Sequence, residues 1–383
     1  MDGLMPAEPA VAPVLPRYGQ RSLPDLATSL LSSLGIAGEP NVLGLPPAAR
    51  ACLLVVDGLG WELLRDHPAA APFLSEMAVN SAPLTAGFPA TTVTSLSSLG
   101  TGRPPGQHGM LGYQVAIPGE GRLLNGLRWD KSVDALAWQP GTTIYERATD
   151  AGVSAFRVAQ AKLEKTGLSI AVMRGNCYRP ADSLGALAAE AADALRWSDR
   201  ALVTVYHAQL DGTGHVFGCG SEAWRLQLAH VDKLAEHLAT AIPAGTPLYV
   251  TADHGMVDVA PEDRIDADTT PGLLDGIALL GGEPRARHLY TDPGAADDVL
   301  QTWRDIIGDR AWVLSRDEAV AAGWFGPVEP WLADRIGDVV VAPAGSYAVI
   351  ASQSEVLESS LIGMHGSLTS SDQLVPLLRM EAA

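Results

Sequence analysis

Cysteine is scarce in this chain, with three residues in 383, and Cys52, Cys177 and Cys219 lie far apart with no CxxC spacing. That scatter excludes a disulfide framework and reads as buried small side chains in a reduced protein. Positive charge is also in short supply: 26 Lys and Arg stand against 44 Asp and Glu, for a formal charge of -18. Such a balance excludes the broad phosphate-backbone footprint that long DNA or RNA requires. It leaves room for a small phosphorylated substrate where metal ions invert the local field. No apolar stretch nears the roughly 20 residues that span a bilayer, so no membrane association is expected. Residues 1–16 lack the basic start and apolar run of a signal peptide, the first positive charge being Arg17. A cytoplasmic protein follows as the expectation, and a homo-oligomer is compatible with these bulk properties.

What the chain has in quantity is apolar surface, 47% of its residues, enough for a large core. An Ala/Pro-rich stretch over residues 1–20 is expected to be a flexible arm, followed by a helical pattern from Leu23 to Leu34 that ends at Gly35. Ala51 to Val56 is a continuous apolar run without alternation, the mark of a parallel strand buried on both faces. The same pattern recurs at Ala201 to Tyr206 and at Pro247 to Thr251, with helical patterns at Ser183 to Arg196 and Ser221 to Ala241. Strands alternating with helices predict an α/β fold with a doubly wound, mainly parallel central sheet flanked by helices. The texture changes over residues 261–351, where short strands near His288, Trp312 and Asp338 and a helix near Ala295 to Ile307 predict a small α+β insertion, cap-like, with Gly281-Gly-Glu-Pro284 at one edge. Residues 21–260 and 352–383 then form the core.

Each predicted strand runs into acidic residues. Asp57 follows the first, Asp211 and His215 follow the second, Asp253 and His254 follow the third, and His365 sits between glycines in Gly363-Met-His-Gly366. Singly, each fits a helix cap or a solvated loop. Together they supply three carboxylates and three imidazoles at the carboxyl ends of parallel strands, where ligands of such sheets bind. Mixed oxygen and nitrogen donors suit Zn²⁺. Thr91 and Thr92 precede an apolar helical pattern through Val93, Leu96 and Leu99, which places a hydroxyl at a helix N-terminus that favours negative charge.

These residues resemble the alkaline phosphatase superfamily, most closely its type I phosphodiesterase/nucleotide pyrophosphatase family. The shared elements are Val56-Asp57-Gly58, Phe88-Pro89 with Thr92, Thr101-Gly102 through His108-Gly109, Asp211-x3-His215, Asp253-His254-Gly255-Met256 and Gly363-x-His365-Gly366, in the family's order over most of the chain. The resemblance implies an alkaline-phosphatase-like fold and two divalent metal ions, expected to be Zn²⁺, with Mn²⁺ as the alternative. It implies one metal on Asp211, His215 and His365, and the other on Asp57, Thr92, Asp253 and His254. It also implies Thr92 as nucleophile, because family members place that residue nine positions before the landmark at Thr101.

Two departures stand out. Gly87 occupies the position before Phe-Pro where phosphodiesterases carry the threonine, and Tyr113-Gln114 replaces the asparagine that holds the phosphoryl oxygen. Tyr113, Gln114 and Asn125 are therefore the candidate substrate-binding residues. The implied reaction is metal-dependent hydrolysis of phosphodiester or pyrophosphate bonds through a phospho-threonine. The alternatives on the same scaffold are a phosphomonoesterase, a phosphonate hydrolase, a phosphotransferase, or a non-catalytic relative that binds metal and phosphate. A sulfatase is disfavoured, since the Cys/Ser-x-Pro-x-Arg pattern is missing from the segment at Thr92.

Overall fold

A computed structural model describes residues 12–382. Its centre is a six-stranded sheet. In chain order the strands are β1 (Arg50–Val56), β2 (Ser154–Ala159), β3 (Cys177–Pro180), β4 (Ala201–His207), β5 (Pro247–Ala252) and, at the C-terminus, Leu377–Glu381. The spatial order is C-terminal strand, β5, β1, β4, β2, β3; all neighbours are parallel except the C-terminal strand, which pairs antiparallel with β5. The continuous apolar runs are the central strands, and every residue of β4 and β5 is buried. Such runs need cover on both faces. Helices α1 (Leu23–Ser33), α2 (Thr92–Thr101), α3 (Leu184–Trp197) and α4 (Glu222–Ala241) supply much of it, their buried residues joining those of β1, β4 and β5 in one apolar cluster.

Register decides where chemistry collects. Val56 lies opposite both His207 and Ala252, so the three central strands end level. Asp57, Asp253 and the segment leading to Asp211 therefore leave the sheet along a single edge. The turn there is tight: Gly58 has φ +74°, and a Cβ on it would lie 3.0 Å from the Cα and Cβ of Asp211. Glycine alone meets both demands.

Within the predicted insertion, strands β6 (Ile277–Glu283), β7 (Ala286–Thr291), β8 (Ala311–Ser315) and β9 (Val339–Pro343) form a second, antiparallel sheet in the order β6, β7, β9, β8. Helix α5 (Ala296–Ile307) buries Val299, Trp303 and Ile307 against it, giving this layer an apolar cluster of its own with Leu289, Val339 and Val341. The layer joins the core through aromatic edges. Phe88 meets Trp324 and Phe325 at ring-centroid distances of 4.8 and 5.5 Å, all three fully buried.

Of the expected flexible arm, residues 1–11 lie outside the described residues. The part that follows is tied down: Val14 N–H donates to the Leu368 carbonyl at 2.7 Å, and the Tyr18 hydroxyl donates to Trp324 O while accepting from Phe88 N–H, both at 3.1 Å. The cysteine expectation needs correcting. Cys52 is buried in β1, but Cys177 is exposed and Cys219 partly so. Cys177 opens β3, which pairs on one side only and ends the sheet.

Candidate active site

The six metal-ligand candidates and Thr92 converge at this edge. A helical turn, Gln209–Phe217, follows β4 and carries Asp211 and His215 on one face, Asp211 Oδ2 lying 3.2 Å from His215 Nε2. His365 Nε2 lies 3.8 Å from the other oxygen of Asp211. Asp57 Oδ1 is 3.2 Å and Asp253 Oδ2 3.7 Å from His254 Nε2. The rings of His254 and His365 stack with centroids 3.6 Å apart. Two groups have donor atoms close enough to share one ion: Asp211, His215 and His365, and Asp57, Asp211 and His254. Asp211 thus stands between the two halves.

The imidazoles share one orientation. Nδ1 of His215 faces Gly363 O at 2.7 Å, Nδ1 of His254 faces Gly255 O at 2.9 Å, and Nδ1 of His365 faces Ala90 O at 3.1 Å. A carbonyl oxygen only accepts, so Nδ1 carries the proton in each ring and Nε2 points to the centre, as in metal-binding histidines whose other ring nitrogen is held by a backbone carbonyl. Asp57 Oδ1, Asp211 Oδ1 and Asp253 Oδ2 are buried without a hydrogen-bond partner. Three orphaned carboxylate oxygens beside three inward Nε2 atoms are a donor set that fits divalent cations of the Zn²⁺ or Mn²⁺ kind.

Without metal, the electrostatics are strained. Burial, and then the neighbouring Asp57, push Asp253 far above the usual carboxylate range. Burial works against the charge of His215, but Asp211 outweighs it and lifts the ring to about 9. His254 rises in the same way among Asp253 and Asp57, whereas burial and its two histidine neighbours hold His365 well below the normal value. Protons on two rings offset carboxylate charge that cations would neutralise.

Thr92 opens α2, with Thr91 as its N-cap. Thr92 Oγ1 lies 3.3 Å from His254 Nε2. Thr91 turns its hydroxyl away, donating to Glu283 Oε2 at 3.1 Å. A cavity of about 260 Å³ opens over Thr92, Asp211 and His215. Tyr113 lines it; Gln114 and Asn125 do not. They sit in the adjacent two-stranded ribbon, where Gln114 Nε2 donates to Glu355 at 3.3 Å and Asn125 Oδ1 accepts from Leu127 N–H at 3.0 Å and Arg128 N–H at 2.9 Å. Tyr206, at the end of β4, donates to Asp57 and fixes that carboxylate from below.

A sequence profile described as type I phosphodiesterase/nucleotide pyrophosphatase matches residues 51–368. The chain belongs to the type I phosphodiesterase/nucleotide pyrophosphatase family. Solved structures of similar fold include murine ectonucleotide pyrophosphatase/phosphodiesterase 5, an inactive variant in complex with AMP, with a TM-score of 0.67 and 18% identity over 86% of this chain and 87% of that one. Another is the phosphonoacetate hydrolase of Sinorhizobium meliloti 1021 in complex with phosphonoformate, with a TM-score of 0.64 and 19% identity over 86% of this chain and 89% of that one. Comparison with curated protein sequences gives no match. The alkaline-phosphatase-like α/β fold expected from the sequence is therefore the fold observed, and no helix among the described residues is long and apolar enough to cross a membrane.

In this phosphodiesterase-family chain, one site residue escaped sequence reasoning. Glu283 ends β6, at the tip of the hairpin with β7, and reaches the cavity from the insertion. Burial pushes its carboxyl up to about 8, Thr91 pulling the other way. The hairpin tip is fastened by the next residue but one: Arg285 donates through Nε and Nη2 to both oxygens of buried Asp372, at 3.1 and 2.7 Å. The signal in the sequence was the Gly281-Gly-Glu-Pro284 turn, whose glycines and proline mark a reversal but not its destination.

Proposed function

We propose that the protein hydrolyses phosphodiester or pyrophosphate bonds of small, nucleotide-like substrates, with Thr92 as nucleophile. The observation that carries this reading is the convergence of three Nδ1-anchored imidazoles and three orphaned carboxylate oxygens on the hydroxyl of Thr92. Asp211, His215 and His365 would hold one divalent cation and Asp57, Asp253 and His254, with Thr92, a second. Bound there, such cations supply charge stabilisation at phosphoryl oxygens and lower the pKa of hydroxyl groups beside them.

The chain's own residues do the rest. The N-terminus of α2 favours negative charge on Thr92 Oγ1. A new Oγ1–P bond forms as the bond from phosphorus to the leaving oxygen breaks; the Oγ1 proton passes to solvent and the leaving group departs with the bonding pair, giving a phospho-threonine. Water then attacks phosphorus, the Oγ1–P bond breaks, and Thr92 recovers its proton. Tyr206 holds Asp57 in place, and the backbone carbonyls hold the three rings. Three unpaired cysteines suit a reducing compartment such as the cytoplasm.

Similarity to a phosphonoacetate hydrolase makes carbon–phosphorus cleavage the second reading. Turnover of an aryl phosphodiester, an aryl phosphomonoester and a phosphonate, each with added Zn²⁺ or Mn²⁺, tests the proposal. Dominant diester cleavage that stops with a chelator supports it. Dominant monoester or phosphonate cleavage overturns it.

A further inference from the structure

Among the described residues, no lysine and no arginine lines the cavity over Thr92. Its charged groups other than the metal-ligand candidates are two carboxyls, Glu283 and Glu358. Glu283 is only 8% exposed, and its Oε1 is buried without a partner. Glu358 Oε1 accepts from the Tyr113 hydroxyl at 3.2 Å, so the residue at the family's phosphoryl-clamp position is engaged with an acid. The remaining wall is apolar: Leu127, Pro284, Leu357, Leu361 and Met364. Leu127 and Leu357 are 48% and 56% exposed, at the mouth.

Cations at the Asp/His cluster would neutralise the phosphoryl group that Thr92 attacks. A second or third phosphate, or a carboxylate, must lie further out along this wall. None of the described lining residues offers it positive charge, since neither protonation state of a carboxyl group does so. Arg128, whose charge acts on the Tyr113 hydroxyl, stands outside the lining, and Glu358 acts on that hydroxyl in the opposite sense. An uncharged or cationic arm meets apolar contacts and two acceptors instead.

We propose that Glu283, Glu358 and the leucine wall make this site selective for singly charged phosphodiesters with uncharged or cationic arms, against nucleoside polyphosphates and carboxylated phosphonates. The inference rests on the hydrolase reading above and narrows its substrate class. It resolves the choice between diester and pyrophosphate in favour of the diester.

The test compares kcat/KM for bis(para-nitrophenyl) phosphate, ATP and phosphonoacetate at fixed free Mn²⁺, in the wild type and in Glu358→Gln, Glu358→Lys and Leu357→Lys variants. The expected result is a diester preference of about tenfold or more in the wild type, with kcat/KM for ATP rising several-fold in either lysine variant while that for the singly charged diester does not rise. Equal or better cleavage of ATP by the wild type overturns the inference and leaves the hydrolase reading standing. So does an unchanged ratio in both lysine variants with native thermal melts. Should no substrate turn over, the hydrolase reading fails, and calorimetry on Mn²⁺-loaded Thr92→Ala protein still decides the charge filter. Binding of thymidine para-nitrophenyl phosphate tighter than ATP supports the filter, and the reverse order overturns it.

Discussion

Thr92 Oγ1 sits 3.3 Å from Nε2 of His254, a ring that is itself fixed by its Nδ1 proton on Gly255 O at 2.9 Å. The nucleophile candidate is thus registered against a ligand candidate by a rigid backbone contact. Replacing Thr92 by Ala is expected to lower kcat by at least about 10³-fold, the loss typical of a residue that forms the covalent intermediate. Metal content by elemental analysis should remain, because His254 and the carboxylates keep their positions. Thr91→Ala removes only the contact to Glu283 and should cost far less. Equal losses from the two substitutions would contradict the assignment of Thr92.

Crowding of Asp57, Asp211 and Asp253 makes a second prediction about the metal-free protein. Burial and Asp57 raise Asp253 far above an unfolded carboxylate. Between those two values the native state binds the extra proton, so metal-free stability falls as pH rises through that window. Asp253→Asn should therefore raise the melting temperature of chelator-treated protein at pH 8 while weakening the response to added Zn²⁺ or Mn²⁺. For the wild type, cation at about 100 times its dissociation constant adds about 2.7 kcal/mol to stability. Scanning calorimetry with and without metal reads both effects.

The ion pair of Arg285 and Asp372 gives a third. Both side chains are fully buried, and Asp372 also accepts from Ser367 N–H at 3.2 Å, two residues after His365. Removing one partner of a buried pair leaves the other uncompensated, at about 3–5 kcal/mol. Arg285→Met should thus lower the urea midpoint. Any folded fraction should show impaired turnover, since the hairpin tip that carries Glu283 loses its anchor. Arg310→Met, a change in the same layer remote from the site, serves as the control for loss of an arginine alone.

The sequence foretold the elements whose burial is extreme. Ala51 to Val56, Ala201 to Tyr206 and Pro247 to Thr251 each correspond to a central strand within a residue or two, because two-sided burial leaves unbroken apolar runs. The helix from Ser221 to Ala241 corresponds to Glu222–Ala241, capped by Ser221. The edge strand Cys177–Pro180 and the antiparallel Leu377–Glu381 carried no such signal, being half exposed and mixed in character. Convergence of the Asp and His residues was legible as strand-end positions. The contribution of Glu283 was not, since a hairpin from another layer brings it across 192 residues to Thr91. Long-range docking of that kind leaves no local periodicity to read.

Two histidines outside the metal cluster should set the acid limit of the fold. His108 accepts Met110 N–H on Nδ1 at 3.1 Å and meets Ser98 Oγ through Nε2 at 3.1 Å. His288 accepts Gly337 N–H on Nδ1 at 3.1 Å and donates from Nε2 to Leu111 O at 2.9 Å. Each is a neutral ring whose Nδ1 lone pair is in use, so a second proton would break a backbone contact. Burial, together with Arg103 near His108, holds that ring near pKa 3, and burial outweighs the Leu111 carbonyl to hold His288 near 4. An unfolded histidine titrates near 6.5. From about pH 6.5 down to 4 the unfolded chain therefore binds protons that the native state refuses, and stability falls as pH falls. The slope is about 1.4 kcal/mol per pH unit for each fully titrating ring. In urea unfolding of metal-free protein from pH 7.5 to 4.5 this loss opposes the gain from Asp253, so the difference between wild type and a histidine variant isolates it. In His288→Gln, whatever its stability at pH 7.5, the dependence on pH should flatten by about one such increment. An unaltered slope would mean that His288 is already protonated in the native state, or exposed to solvent.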